Sequence, residues 1–232
     1  MPKNKLKKFA EIKTFSNVIR PAKPQNIDWK KHFGNDNPIT LELACGKGDY
    51  TLGLARIYPN RNFIGIDIKG ARLWKGAKTA LEEKLANVAF LRARIENLEK
   101  YFIPENVETR LIASLLKKSQ PIIPEIWITF PDPFPRKRDA KRRLTSPRFL
   151  EIYKKILQPG GIIHLKTDNL SFFNYSVETS EAENWQIKKI INNIYSLKTL
   201  PFNLQIKTFY EEQHLKNNKQ IHYLKIKKEA RL

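Results

Sequence analysis

Residues 39–48 read Ile-Thr-Leu-Glu-Leu-Ala-Cys-Gly-Lys-Gly, and residues 63–67 read Phe-Ile-Gly-Ile-Asp. Each is a short apolar run that ends at glycine or at an acid, the pattern of a parallel strand buried on both faces. The two predict strands over Ile39–Leu43 and Phe63–Asp67, with a short helix over Tyr50–Ile57 between them. Outward from this pair, an amphipathic helix is expected over Arg72–Leu85, then strands over Val88–Leu91 and Glu125–Phe130. Ser146 as N-cap and Pro147 in the first turn introduce a helix to Leu157. Pro159-Gly160-Gly161 then turns the chain into a strand over Ile162–Thr167. A helix near Phe172–Glu181 and strands near Trp185–Ile190 and Ile221–Ile226 complete the series. The alternation predicts an α/β fold with a mostly parallel central sheet flanked by helices.

The chain has 232 residues and 43 Lys and Arg against 23 Asp and Glu, a formal charge of +20. Residues 1–31, 136–155 and 216–232 carry net charges of +7, +7 and +5, so the rest of the chain is almost neutral. Three cationic segments around a balanced body suit a polyanion laid across one region. The termini also read as solvated tails, whereas Arg136-Lys137-Arg138 and Lys141-Arg142-Arg143 lie inside the ordered pattern. One cysteine excludes an intramolecular disulfide, and with four histidines it offers no zinc spacing. No apolar run reaches the roughly 18 residues of a membrane span, and no signal peptide is evident. A soluble, cytoplasmic protein without a metal is expected.

Gly46 and Gly48, at the carboxyl end of the first strand, let a ligand approach the backbone. Asp67 follows Gly46 by 21 residues, where an open α/β sheet places its ribose-binding acid. Thr51 stands where the dinucleotide fingerprint has its third glycine, and Glu42 would repel a pyrophosphate. Glu42 suits S-adenosyl-L-methionine instead, whose sulfonium and ammonium outweigh its carboxylate. Cys45 has no histidine nearby in sequence and reads as a packing residue, as does His164 within an apolar strand. Pro131 and Pro133 stiffen the backbone on either side of Asp132, with Phe134 and the internal basic segment following.

Four segments together carry a resemblance: Glu42 to Gly48, Phe130 to Arg143, Lys166-Thr167-Asp168-Asn169, and Thr208-Phe209-Tyr210-Glu211. In this order they resemble the bacterial tRNA (guanine-N7)-methyltransferase family over roughly residues 39–226. The resemblance implies a Rossmann-like class I methyltransferase fold with an antiparallel last strand. It implies S-adenosyl-L-methionine as donor and N7 of the variable-loop guanosine of tRNA as acceptor. On the same basis Glu42, Gly46, Gly48, Asp67 and Asp132 are donor-site positions, and Asp132 is also catalytic. Arg136, Asp168, Thr208, Phe209, Tyr210 and Glu211 are substrate-contact positions. The expected division is a basic N-terminal arm over 1–36 and a methyltransferase domain over 37–232.

The chain departs from the family pattern at Phe134, where Trp is usual, at Arg136, where Lys is usual, and at Arg94, where an Asp or Asn near the adenine is expected. An arginine cannot accept a hydrogen bond from the adenine amino group, so no donor-site role passes to Arg94. Asp168 alternatively reads as a helix N-cap, and Thr208 with Glu211 as an ordinary strand-end pair. Two other functions remain open on sequence: a methyltransferase acting on another RNA base or on a protein, and a non-catalytic RNA-binding protein on the same scaffold.

Overall fold

The computed structural model describes residues 3–24, 26–103 and 122–229. The extreme ends of the first and last basic segments, residues 1, 2 and 230–232, lie outside these. Two compact units divide between Ile123 and Pro124.

The first unit runs α1 (Lys3–Glu11), β1 (Val18–Ile19), α2 (Trp29–Phe33), β2 (Ile39–Leu43), α3 (Asp49–Ile57), β3 (Asn62–Asp67), α4 (Gly70–Glu82), β4 (Val88–Arg92) and α5 (Leu98–Phe102). Its strands lie in the order β1-β4-β3-β2, all parallel. Every residue of β2 and β3 is buried, which is why both read as unbroken apolar runs. The predicted helix over 72–85 begins two residues earlier and stops at Glu82, because Lys84 turns left-handed (φ 56°) and Leu85 N–H closes back on Ala80 O at 2.9 Å.

Residues expected as a basic arm carry three of these elements. Trp74 on α4 donates its indole N–H to Glu11 at 3.0 Å, with Lys8 and Lys78 4.7 and 5.2 Å from its ring centre. Val18 and Ile19 pair with Phe90 and Leu91. Trp29 is buried, stacks on Phe102 at 5.2 Å and donates to Tyr101 O at 3.1 Å. Residues 3–33 are therefore part of the first unit.

Phe90 organises the centre of this unit. A Cβ on Gly48 or on Gly65 would stand 2.5 or 2.8 Å from its ring, and one on Gly76 would strike both that ring and the Lys47 carbonyl. Three bare backbones thus surround one phenyl ring, and α4 lies directly against the turn that follows β2.

The second unit runs β5 (Glu125–Thr129), α6 (Pro147–Ile156), β6 (Ile162–Thr167), α7 (Leu170–Ala182), β7 (Gln186–Ile191), α8 (Phe202–Gln205), α9 (Phe209–Lys216) and β8 (His222–Lys227). The strand order is β5-β6-β8-β7, with β5 and β6 parallel and β8 antiparallel to both of its neighbours. The last strand is the antiparallel one, as expected. Ser146 precedes α6 as N-cap, but its hydroxyl donates to Lys141 O at 3.2 Å and makes no capping bond. His164 is a buried core residue: its ring lies 3.9 Å from that of Trp127, with Tyr223 OH 2.7 Å from Nδ1 and Glu125 Oε1 2.9 Å from Nε2.

Because the Lys47 carbonyl is backbone and cannot swing aside, Gly76→Ala is expected to cost about 1–3 kcal/mol, the usual penalty for overpacking. Equilibrium urea unfolding measures this, and an unchanged midpoint would show that α4 is free to shift.

Candidate active site

After β2 the backbone turns through Ala44, Gly46 and Gly48 at φ 56°, 58° and 73°, a left-handed run that two glycines make affordable. Asp67 at the end of β3 braces this turn, accepting from Gly46 N–H at 3.0 Å and from Lys69 N–H at 2.8 Å. Glu42 is 2% exposed and accepts from the backbone N–H of Thr51 at 2.8 Å and from the Thr51 hydroxyl. It thereby holds an amide of the first turn of α3 that has no partner within the helix. The four expected donor-site residues of the first unit are thus brought together, the two acids fixing the backbone that the two glycines shape.

Cys45 reports the field inside this turn. Burial pushes its thiol well above the ordinary range, and Glu42, Asp67 and Asp49 push it further in the same direction. The thiol stays neutral and unreactive, and the environment is negative. Such a field repels a pyrophosphate and favours a ligand carrying sulfonium and ammonium charge. A Cβ placed on Gly46 meets nothing within 4 Å, so the turn has open room beside its backbone. Field and space both fit S-adenosyl-L-methionine. Among the described residues no cluster of His, Cys, Asp and Glu is arranged to hold a metal ion.

In the second unit, the strand β5 leads into Phe130-Pro131-Asp132-Pro133-Phe134. Phe130 and Phe134 are both left-handed, at φ 49° and 44°, a conformation that costs a non-glycine residue on the order of 1–3 kcal/mol. Neighbouring bonds hold it. Phe130 N–H donates to Lys166 O at 2.9 Å. Arg143 donates from Nε to Pro133 O at 3.1 Å and from Nη2 to Phe134 O at 3.1 Å, with its guanidinium 4.3 Å from the Tyr175 ring centre. Asp132 itself is exposed, and its carboxylate has no partner among the described residues.

The six cations of this segment are not equivalent. Arg143 is buried beneath the proline loop, and Arg142 lies 4.4 Å over the Phe134 ring and 3.7 Å from Asp139. Arg136, Lys137, Arg138 and Lys141 are exposed, with no side-chain partner among the described residues.

Asp168 is not the cap of α7. That role belongs to Asn169, whose side chain accepts from Phe172 N–H at 2.8 Å. The Asp168 carboxylate instead meets Lys219 Nζ at 2.6 Å and His214 Nε2 at 3.3 Å, while the His214 ring stacks on Phe130 at 5.6 Å. Burial lowers the His214 pKa, with Lys219 acting in the same direction and Asp168 and Glu211 opposing. Since Lys219 is about half exposed, its bond to Asp168 is worth roughly 0–1 kcal/mol. Breaking this bond costs little.

Thr208–Glu211 is the start of α9 and not a strand end. Thr208 caps the helix, accepting from Glu211 N–H at 3.1 Å. Glu211 is 0% exposed; it bonds Lys166 Nζ at 2.8 Å and accepts from Tyr195 OH at 2.8 Å. Lys166 also donates to the carbonyls of Leu204 and Ile206, at 3.3 and 3.2 Å. Burial depresses the Lys166 pKa and the Glu211 carboxylate raises it. The Glu211 carboxylate is closed off from the surface and is engaged by Lys166 and Tyr195. Thr208 is likewise buried, whereas Phe209 and Tyr210 stand 45% and 44% exposed with their ring centres 5.7 Å apart. Two residues of the run hold the helix and two present aromatic surface.

A family model described as a putative methyltransferase matches residues 36–224. The tRNA (guanine-N(7)-)-methyltransferase of Christiangramia forsetii is 45% identical, over 97% of this chain and 98% of its own length. The chain belongs to that methyltransferase family. Proteins of the same name from Cytophaga hutchinsonii (38% identical, 97% of each chain) and Bacteroides thetaiotaomicron (41%, covering 98% of this chain and 86% of that one) are also similar. Among solved structures, the 16S rRNA methyltransferase KamB superposes with a TM-score of 0.60 at 13% identity, over 87% of this chain and 93% of that one. A 30S ribosomal A1408 methyltransferase from an uncultured bacterium gives 0.56 at 16%, over 86% and 92%. The fold is that of the class I methyltransferases.

Sequence reasoning left three residues of this methyltransferase without their roles. Lys166 is a lone cation within an apolar strand, a position that calls for a buried counter-charge, and this could have pointed to Glu211. Thr51 was noted only as a missing glycine, although a hydroxyl at the head of a helix nine residues after a buried acid is the natural partner of that acid. Arg143 had no distinguishing signal, since it is one cation among six.

Removing Glu211 strands a buried ammonium, so Glu211→Ala is expected to destabilise the protein by about 3–5 kcal/mol in urea unfolding, with Lys166→Met/Glu211→Met recovering much of the loss. Stability unchanged in Glu211→Ala would return this residue to the surface.

Proposed function

We propose that this chain transfers the methyl group of S-adenosyl-L-methionine to N7 of a guanosine in the variable loop of tRNA, forming N7-methylguanosine. Family membership at 45% identity over nearly the whole chain supports the reaction. The observation that carries the mechanism is Asp132, an exposed carboxylate held in one pose by two prolines and by Arg143, with four surface cations close behind it in sequence.

The donor, when bound, supplies an electrophilic methyl group on a sulfonium. Guanine N7 already carries an unprotonated lone pair, so no side chain has to remove a proton, and the protein's work is positioning. Glu42 and Asp67 fix the turn of Gly46 and Gly48 that holds the donor. The transfer leaves a cationic purine. Asp132 stabilises that charge as it develops, or accepts hydrogen bonds from the N1 and N2 edge of the guanine, and its lack of a partner among the described residues leaves it ready for either. Asp168 takes the second of these roles by exchanging Lys219 for the base. Phe209 and Tyr210 offer aromatic faces on which an unstacked base can rest. Arg136, Lys137, Arg138 and Lys141 take phosphates, setting the register of the RNA without reading its bases.

No helix among the described residues is long and apolar enough to cross a membrane, and a tRNA substrate fits a cytoplasmic location.

Incubation with isotopically labelled donor and total tRNA, followed by digestion to nucleosides, is expected to give labelled N7-methylguanosine; label in any other nucleoside, or none, would overturn the reading. Asp132→Asn should lower turnover about a hundredfold or more at an unchanged melting temperature, and near-normal turnover would remove Asp132 from the chemistry.

A further inference from the structure

Glu211 anchors α9 to β6, and His214 stands one turn further along the same face of that helix. Its imidazole meets the residues that directly follow β5 and β6. The Phe130 ring stacks on it, with 5.6 Å between centres and 29° between planes, and its Nε2 stands 3.3 Å from Asp168 Oδ1. One side chain thus touches both the segment that carries Asp132 and Asp168 itself.

Each of these neighbours has a reason to need it. Phe130 is left-handed at φ 49° and tied at its N–H to Lys166 O. Only Pro131 separates it from Asp132, so a displaced Phe130 ring is passed on to the carboxylate through a residue of fixed φ. Asp168 has Lys219 as its other partner, and that lysine is half exposed. In the reaction assigned above the guanine edge replaces it, and the carboxylate then depends on His214 for its direction. Burial holds the His214 pKa down, with Lys219 acting likewise and Asp168 and Glu211 opposing. At neutral pH the ring is therefore an uncharged partner, able to aim the carboxylate without neutralising it.

We propose that His214 is a positioning residue for the methyl transfer: by holding the Phe130 ring and the Asp168 carboxylate at once, its imidazole fixes the two candidate acids relative to each other. Of the side chains that present a flat ring, histidine also offers a polar nitrogen on either side of it, and the two tasks need both properties. The inference rests on the roles given above to Asp132 in the transfer and to Asp168 at the guanine edge. It adds that neither acid is placed independently of the other.

The test uses the whole protein with three substitutions. His214→Phe keeps a ring for Phe130 and nothing for Asp168, His214→Gln keeps a donor for Asp168 and no ring, and His214→Ala keeps neither; melting temperatures confirm that all three fold. Methyl transfer to tRNA at saturating S-adenosyl-L-methionine gives kcat and the KM for tRNA separately. His214→Ala is expected to lose roughly 10- to 100-fold in kcat/KM, the cost of a small misplacement of the groups around a reacting centre. His214→Phe should keep kcat within about threefold and raise KM about tenfold, whereas His214→Gln should restore KM and lower kcat. Asp168→Ala/His214→Phe should show the KM of Asp168→Ala alone, because residues that act through one contact are not additive. A kcat/KM for His214→Ala within about twofold of the parent would overturn the proposal, as would three variants that lose kcat and gain KM alike, in step with their melting temperatures. Additive losses in the double variant would overturn it while leaving Asp168 at the guanine edge. A parental KM in Asp168→Ala would instead remove Asp168 from that edge, and this proposal with it.

Discussion

The first unit depends on the fit of one phenyl ring into the space vacated by three glycines. Phe90 reaches Gly48 in the turn after β2, Gly65 in the middle of β3 and Gly76 on α4. Because none of the three carries a Cβ, loop, strand and helix close on the same ring, and the turn inherits the rigidity of the core. Its geometry then needs only two further bonds, from Glu42 to Thr51 and from Asp67 to Gly46. Acids that a motif reader assigns to a ligand are here first of all acids that hold backbone. The two uses are compatible, since the field that lifts the Cys45 thiol is the same field a cationic donor meets.

The acids of the second unit separate by how costly they are to disengage. Among the described residues Asp132 has no partner to give up, and Asp168 gives up a half-exposed lysine worth roughly 1 kcal/mol or less. Glu211 would have to abandon a fully buried ammonium, at several kcal/mol. This ranking orders the three acids by the cost of turning each toward a ligand.

Strands β2 and β6 were legible to the residue, β2 because a parallel strand covered on both faces writes an apolar run with sharp ends, and β6 because Pro159-Gly160-Gly161 and Asp168-Asn169 bracket it. The helices α1 and α2 were not, because what orders them lies far along the chain: Glu11 meets Trp74 63 residues away, and Trp29 meets Tyr101 72 residues away. Thr208-Phe209-Tyr210-Glu211 was recognised as a unit but not as a helix start, since two holding residues flank two presenting ones and show no apolar stripe. Charge was the least informative property at short range. The segment from Arg136 to Arg143 reads as uniform, yet one of its arginines is buried under the proline loop and another is laid over a phenyl ring.

The buried Lys166–Glu211 bond joins residues 45 positions apart, and this separation bears on how the second unit is made. Loop-closure entropy must be met before the bond contributes anything, so α9 gains its anchor only after β6 is in place. Contacts of this span slow the acquisition of structure. Phe209 and Tyr210 are consequently fixed in place only where α9 meets its anchor on β6, and a fragment of the second unit that lacks β6 has no set aromatic pair to offer.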